Sequence, residues 1–473
     1  MLFQLPQSLN RMMNVRPIMN NMKKQISFWL TSLLLLVTML AANPKAGAAP
    51  KPKQLLVVTV TKGFRHSSIP TAEKVLGELA QKCGQFTVDY VRTDAEMAQK
   101  MTPEALKKYD GVVFASTTGI LPLPDKQGFL DFIKSGKAFI GMHSATDTFH
   151  GTNGIDPYID MIGGEFLTHH AQAQVECLNE DPKHPATKDI GKSYVVTDEI
   201  YIQKNFFRDR VHGLLSLDKH PNYGTPGDYP IAWCKKYGKG NVFYTELGHR
   251  EDVWESAVYQ AHILGGIKWA LGLEKGDAKP QVYGVESEAG FKPLFNGKDL
   301  MGWHLRNANG RASWTVEKAM LVNRLADEAG KNLGGNDLVS DEKFRDFTVR
   351  YEFMVPTNSN SGFYLRGRHE IQILDDYAKG TPEMGGNGAI YHIAPVSQFI
   401  SKKPGEWQTV EATMKGDRVT VILNGVKVHD NVLVDKPTGS ELDGNVNDPG
   451  SFMLQGDHGP VAFRNMRVKV LKD

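Results

Sequence analysis

The spacing of apolar positions divides the chain into two differently built halves. Gln54-Leu-Leu-Val-Val-Thr-Val60 is a continuous apolar, β-branched run, the pattern of a strand buried on both faces. A helical period follows over Pro70 to Lys82, then a strand run at Phe86–Val91. Next come a helix near Thr102–Lys108, with Thr102 and Glu104 at its start, and a strand at Asp110–Phe114. A helix over Pro124–Lys134 leads into the strand Lys137–Met142, and Asn241–Glu246 reads as one more strand. Strands alternating with helices predict a parallel α/β sheet, whose ligands sit at the carboxyl ends of the strands. Residues 274–289, with Lys279-Pro280 and mixed charges, carry no period and read as a linker between a domain at 53–273 and another at 290–473. Beyond them nearly every run has period two. Phe347–Val355 alternates strictly, and Val419–Val428 places Asn424-Gly425 between two strand halves, the strongest short-range hairpin signal. An antiparallel β-sandwich of the lectin or jelly-roll kind is predicted there.

Within the second half, Asn360-Ser-Gly-Phe-Tyr-Leu-Arg-Gly-Arg-His-Glu-Ile-Gln-Ile-Leu-Asp-Asp376 reads as a hairpin turning at Gly367. Phe363/Leu365 and Ile371/Ile373 form its apolar face; Tyr364/Arg366 and Glu370/Gln372 form the other. A half-buried strand tolerates polar residues on one face but has no need for an amide, arginines and several carboxylates in one hairpin. That set suits a sugar site, with planar amides and carboxylates for hydroxyls, an aromatic for a ring face, and candidate acids and bases. The alternative is a solvated sheet edge blunted by charge.

In the first half, Gly141-Met-His-Ser-Ala145 closes a buried strand with small residues two before and two after His143, the pattern of a nucleophile elbow. Its tip is neither Ser nor Cys. His66 and His249 also follow strand ends, so the three imidazoles are expected to converge. Together they can hold a divalent metal or carry a proton on and off a sugar carbon. His169-His170 are further candidates, and Glu251 stands two residues after His249.

Composition narrows the classes. With 473 residues and a formal net charge of +2, there is no electrostatic case for a nucleic-acid or anionic-membrane partner. Three cysteines and no CxxC pair exclude a disulfide framework and a thiolate zinc site. Lys23-Lys24, the apolar run Ile26–Leu40 and the small residues Ala41-Ala42 and Ala46-Gly-Ala-Ala49 predict an export signal over residues 1–49, with Met22 the more natural start. The apolar run is short for a span and no Cys lies near the cleavage region, so a periplasmic or secreted protein without a stable membrane anchor is expected.

With Lys62-Gly-Phe-Arg-His66, His143-Ser-Ala-Thr-Asp147 and Tyr237-Gly-Lys-Gly-Asn-Val-Phe-Tyr-Thr-Glu-Leu-Gly-His249, the first domain resembles the trehalose-utilisation, ThuA-like family. The resemblance implies an amidotransferase-like fold. The His-x-Glu spacing at His249 and Glu251 is similar to that of class I glutamine amidotransferases, but a His at the elbow cannot form their thioester, which argues against glutaminase activity. In the second domain Phe291-Lys-Pro-Leu-Phe-Asn-Gly-Lys-Asp-Leu300, Asn360-Ser-Gly362, Glu370-Ile-Gln372 and Gly456-Asp-His-Gly-Pro-Val-Ala-Phe-Arg-Asn465 together resemble the 3-keto-disaccharide hydrolase, or 3-keto-glucoside 1,2-lyase, family. This resemblance implies a concanavalin-like sandwich acting on sugars oxidised at C3, downstream of a sugar 3-dehydrogenase.

The chemistry so implied needs a base near C2, a group facing the enolate oxygen, and an acid for the leaving group. Glu370 is the expected base, with Asp375 and His458 as rivals. Arg366 and Arg464 are candidates to face the enolate. Parity with Met466, Val468 and Val470 puts Arg464 on an apolar face, so either a bulge turns it away or it meets a buried acid or ligand. Asn360, Tyr364, Gln372, Tyr391, Asp457 and, in the first domain, His66 are candidate substrate-binding residues; Trp303 and Trp407 are candidate ring platforms. No nucleotide cofactor is called for, and a divalent metal is the one cofactor the histidines suggest. The competing reading is a glycan-binding sandwich beside an inactive amidotransferase relative.

Overall fold

The computed structural model describes residues 51–472, apart from 152 and 328. The expected export signal lies outside the described residues. Among those described, no helix is long and apolar enough to cross a membrane.

The predicted α/β half is present, and its sheet is longer than the sequence suggested. Strands Phe86–Val91, Lys53–Val58, Gly111–Ala115, Ala138–Met142 and Gly240–Thr245 lie side by side in that order, all parallel. The near-continuous burial of the inner four matches their apolar runs, while Phe86–Val91, at the sheet edge, is only partly buried. The helices form where the period placed them. Ile69–Cys83 ends at the left-handed Gly84, and Thr102 accepts a hydrogen bond from Ala105 N at 3.2 Å to cap Pro103–Leu106. Beyond Gly240–Thr245 the sheet turns antiparallel, through Pro226–Tyr237, His212–Lys219, Ala173–Asn179 and Ser193–Asp198. The expectation of a parallel sheet therefore holds for one side only. The other side is built from residues 173–237: Ala173–Asn179 and Ser193–Asp198 are partly exposed, while His212–Lys219 and Pro226–Tyr237 are largely buried but carry polar and proline positions that break a clean period.

Residues 303–470 form the predicted sandwich. One sheet centres on Val461–Val470, Phe347–Met354 and Gln408–Lys415; the facing sheet runs Trp303–Leu305, Leu338–Phe344, Gly450–Leu454, Asn360–Leu365, His369–Leu374. All their pairings are antiparallel. Asn424 (φ 49°) and Gly425 (φ 82°) make the expected left-handed turn between Arg418–Leu423 and Val426–Leu433. Phe363, Leu365, Ile371 and Ile373 face the core, where Tyr351 stacks on Phe363 at 4.1 Å.

The two domains are pinned together rather than loosely strung. The linker is strapped to the strand His212–Lys219: Gln281 and Gly213 exchange hydrogen bonds of 2.7 and 2.6 Å, and His212 Nδ1 donates to Lys279 O at 2.7 Å. Glu180 takes Arg208 from its own domain and Lys318 from the sandwich, each at 3.0 Å, and is held down to about 2 despite its burial. Asp228 N donates to Glu317 Oε2 at 2.9 Å, and Trp407 Nε1 to Asp218 Oδ2 at 3.0 Å.

Candidate active sites

The hairpin Asn360–Leu374 is hydrogen-bonded at the edge of its sheet, yet it is not solvated. Arg366, His369, Glu370 and Gln372 are all buried. A loop covers the edge: Gln372 N donates to Ala389 O and Tyr391 N to Glu370 O, both at 3.0 Å, while Glu370 N donates to Thr438 Oγ1 at 2.8 Å. The solvated-edge reading is thereby overturned. Period two sends Asn360, Tyr364, Glu370 and Gln372 to one face, away from the core residues between them. There they line a cavity of about 110 Å³ with Tyr391, Gln455 and His458.

Glu370 is the centre of this cavity. It is 3% exposed, and burial pushes its carboxyl up to about 7, against the smaller downward pulls of the Tyr364 hydroxyl and His458. Tyr364 Oη donates to Glu370 Oε2 at 2.8 Å. Gly362, across the hairpin, makes room for the carboxylate: a Cβ there would lie 2.2 Å from Glu370 Oε1. Asn360 Oδ1 and Gln455 Oε1 are buried in the same wall without a hydrogen-bond partner among the described residues, an arrangement that suits hydroxyl-bearing ligands. Gln455 escaped sequence reasoning; its one signal is that it directly precedes the Gly456-Asp-His motif. His458 is half-exposed at the cavity mouth, its Nδ1 at 2.5 Å from Asp457 Oδ1.

Other expected members lie elsewhere. Arg366 (φ 53°) sits in the turn and spends its guanidinium on Arg345 O at 2.8 Å, Val446 O at 3.0 Å and Asp346 Oδ1 at 3.2 Å, so it is a buried structural brace rather than a group facing Glu370. Arg464 is turned off the apolar face by a bulge at Asn465 (φ 53°), where the register slips between Arg350 and Glu352. It pairs with Glu352 at 2.8 Å and lies over Trp407 at 3.9 Å. Asp375 accepts from Asn358 N at 2.8 Å, tying down the preceding turn. Trp303 is core, its Nε1 bonded to Leu294 O.

In the first domain the three histidines converge. His143 adopts φ 49°, the left-handed conformation expected of an elbow tip and uncommon for a residue with a side chain. His143 Nε2 lies 3.0 Å from His66 Nε2, and the His249 ring centroid is 5.3 Å from that of His143. The carboxylate that joins them is Glu199, at 3.1 Å from His249 Nδ1 and 3.8 Å from His143 Nε2. Glu251 instead accepts from Ser67 Oγ at 2.6 Å. Glu199 also meets His169 at 3.1 Å, whereas His170 turns towards Tyr223. The sequence signal missed here was the acidic pair Asp198-Glu199 closing a strand.

Protonation follows from the contacts. The Glu246 carbonyl, 2.8 Å from His143 Nδ1, can only accept, so that nitrogen carries the proton and Nε2 holds the lone pair. Burial keeps His143 far below the usual imidazole range and His66 at about 4, so both are neutral, the form that ligates metals. The hydrogen bond to Glu199 raises His249 instead. His66, His143, His249 and Glu199 offer ligand atoms all within 4.8 Å of one another, a three-nitrogen, one-oxygen set that fits a divalent cation such as zinc.

Comparison with known proteins divides the chain at the same place. Residues 54–270 match the ThuA family, described as trehalose utilisation, and residues 290–469 match the 3-keto-alpha-glucoside-1,2-lyase-like domain family. A curated 3-keto-disaccharide hydrolase of Bacteroides thetaiotaomicron is 27% identical, over 51% of this chain and 98% of the relative. A crystal structure from Parabacteroides distasonis, provisionally described as a glycosyl hydrolase, is 28% identical over 42% of this chain and 94% of its own, with a TM-score of 0.32. A ThuA-like protein of Parabacteroides merdae is 18% identical over 47% of this chain and 90% of its own, with a TM-score of 0.40.

Proposed function

Because the chain joins a ThuA-family domain to a 3-keto-disaccharide hydrolase-like domain, we propose that it is an exported enzyme cleaving 3-keto-glycosides by elimination and hydration at Glu370. The observation that carries this reading is a buried carboxyl poised at about 7 in a polar cavity, the condition for a general base at neutral pH. The ketone at C3 acidifies the C2 proton. Glu370 takes that proton, the electrons pass through the enolate, and the C1–O bond breaks as the aglycone oxygen is protonated. His458, at the cavity mouth, is the acid placed to do this. Water then adds across the resulting 2-hydroxy-3-keto-glucal, its proton returning to C2 and its oxygen joining C1, to release the 3-keto sugar. Tyr364 orients the carboxylate; Asn360, Gln372, Tyr391 and Gln455 offer donors and acceptors to the hydroxyls and to the enolate oxygen. The substrate's ketone requires a sugar 3-dehydrogenase upstream. The basic and then apolar run over Lys23–Leu40 supports action in the periplasm or outside the cell.

Incubating the protein with 3-keto-trehalose or a 3-keto-glucoside and following the glucal and free keto sugar by NMR tests this. Wild type should turn over and Glu370→Gln should not. Full turnover by Glu370→Gln would remove Glu370 from the mechanism, and binding without turnover by wild type would favour a glycan-binding sandwich.

A second function is carried by the histidine cluster. We infer that His66, His143, His249 and Glu199 hold a divalent metal. Such an ion would supply a Lewis acid for a carbonyl or hydroxyl oxygen, while the Glu246 carbonyl, accepting from His143 Nδ1 at 2.8 Å, orients that ring.

A further inference from the structure

The Glu370 cavity, about 110 Å³, is below the usual ligand-pocket range of about 300–1,000 Å³. A disaccharide must therefore extend beyond it. Next to it, across His458, lies a cleft of about 520 Å³ between the two domains. Its sandwich wall is Arg324–Asp327, Gly330 and Asn332 with His458 and Pro460; its opposite wall is the ThuA-family domain's turn at residues 220–225, with Tyr229 behind it. On that wall the His220 and Tyr223 rings stack at 4.6 Å, and the half-exposed Tyr223 sits 3.3 Å from His170 Nδ1 through its hydroxyl. Tyr229 closes edge-on against His220 at 5.4 Å.

We propose that this cleft is the binding subsite for the leaving half of the substrate, a second sugar ring seated against Tyr223 and Asp327, so that the first domain completes the active site of the second. The proposal rests on Glu370 being the reacting end. Continuity supplies the argument: His458 lines both spaces, so a ring whose C1 and C2 lie at Glu370 projects its glycosidic oxygen past His458 into the cleft. Chemistry supplies the class of occupant, since aromatic faces alternating with Asp327, Asn332 and the Arg324 guanidinium suit the apolar faces and hydroxyl rims of a pyranose. The walls are preformed. Arg324 is fixed by Glu317 at 2.8 Å, and a Cβ at Gly227 would lie 2.1 Å from Arg324 Nη2, so the close approach of the domains depends on that glycine.

The test compares Tyr223→Ala and Tyr223→Trp with wild type on 3-keto-trehalose and on methyl 3-keto-glucoside, whose aglycone is too small to reach the cleft. Tyr223→Ala should raise KM for the disaccharide roughly tenfold and leave the methyl glycoside unchanged, while Tyr223→Trp keeps disaccharide affinity. Equal effects on both substrates, or none on either, would overturn the subsite. If wild type consumes neither substrate, the elimination at Glu370 fails. Dissociation constants of the same two ligands, measured by calorimetry on the full chain, then decide the subsite: a disaccharide-selective loss in Tyr223→Ala supports it, and its lack overturns it.

Discussion

Replacing Glu370 by Gln should abolish turnover and stabilise the sandwich at alkaline pH, and both effects have one cause. The carboxyl is raised from 4.5 to about 7, so the folded state holds its proton more tightly than the unfolded chain does. Below pH 4.5 both states are protonated and burial costs nothing. Between 4.5 and 7 the unfolded chain ionises first, and above 7 the folded protein carries a buried carboxylate at a cost of about 3 kcal/mol, from roughly 2.5 pH units at 1.36 kcal/mol each. Gln keeps the shape and can still accept from Tyr364 but never ionises. The melting temperature of Glu370→Gln should therefore match wild type at pH 4 and exceed it by roughly 6–12 °C at pH 8.5 for a domain of this size. Wild-type kcat/KM should fall tenfold per unit as pH drops below about 7, the range in which the base becomes protonated. Calorimetric melts from pH 4 to 9 beside the pH–rate profile give both readings. Parallel melting curves, or a rate indifferent to pH through 7, would show that Glu370 titrates as an ordinary exposed carboxylate and would refute the reasoning.

The other predictions concern the supports of the two sites. Gly362→Ala places a methyl 2.2 Å from Glu370 Oε1 and should cut kcat at least tenfold while the melting temperature changes little, since the clash falls on the end of a side chain. Arg366→Met removes the brace on Arg345 O, Val446 O and Asp346 and should destabilise the sandwich by about 3–5 kcal/mol in urea melts, with kcat of the folded fraction retained. Elemental analysis after dialysis against zinc should find bound metal in wild type and Glu251→Gln. Affinity should be weakened more than about a hundredfold in Glu199→Gln and His143→Ala; equal retention by all four proteins would remove the metal site.

What was legible in the sequence follows a physical divide. Strands buried on both faces announce themselves, because no polar residue is tolerated: Leu55–Val58 and Val112–Phe114 were read to within a residue or two. So were the hairpins, whose left-handed turn at Asn424-Gly425 restricts residue choice. The antiparallel strands of 173–237 were not: Ala173–Asn179 and Ser193–Asp198 are mixed in burial, and the two buried ones are interrupted by His212, Ser216, Asp228 and Pro230. At the sites, His143, His66 and His249 were legible since each follows the carboxyl end of a parallel strand, where ligands of such sheets gather. Glu199 was not, because it enters from the antiparallel side, and proximity in sequence favoured Glu251 instead. Arg366 shows the same limit. Parity places it on Glu370's face, but the left-handed turn it occupies swings its guanidinium to the backbone of residues 345 and 446.

That displacement bears on the mechanism itself. An arginine beside Glu370 would stabilise an enolate, but it would equally stabilise the carboxylate and hold it below its ordinary value, leaving a weak base. Among the described side chains lining the cavity, His458 is the sole group able to carry positive charge, and it stands at the mouth, where it lowers Glu370 less than burial raises it. Base strength near neutral pH and a fixed cation at the enolate compete for the same few ångströms. This cavity favours the base, and in the proposed mechanism the lining side chains that would meet the oxyanion are neutral donors, the Asn360 and Gln372 amides and the Tyr391 hydroxyl, which would strengthen their hydrogen bonds as charge develops without depressing the carboxyl beforehand. Introducing an arginine at Gln372 should accordingly shift the acid limb of the rate profile below 7 and lower the plateau rate; a higher plateau would mean that enolate stabilisation, and not proton removal, limits the reaction.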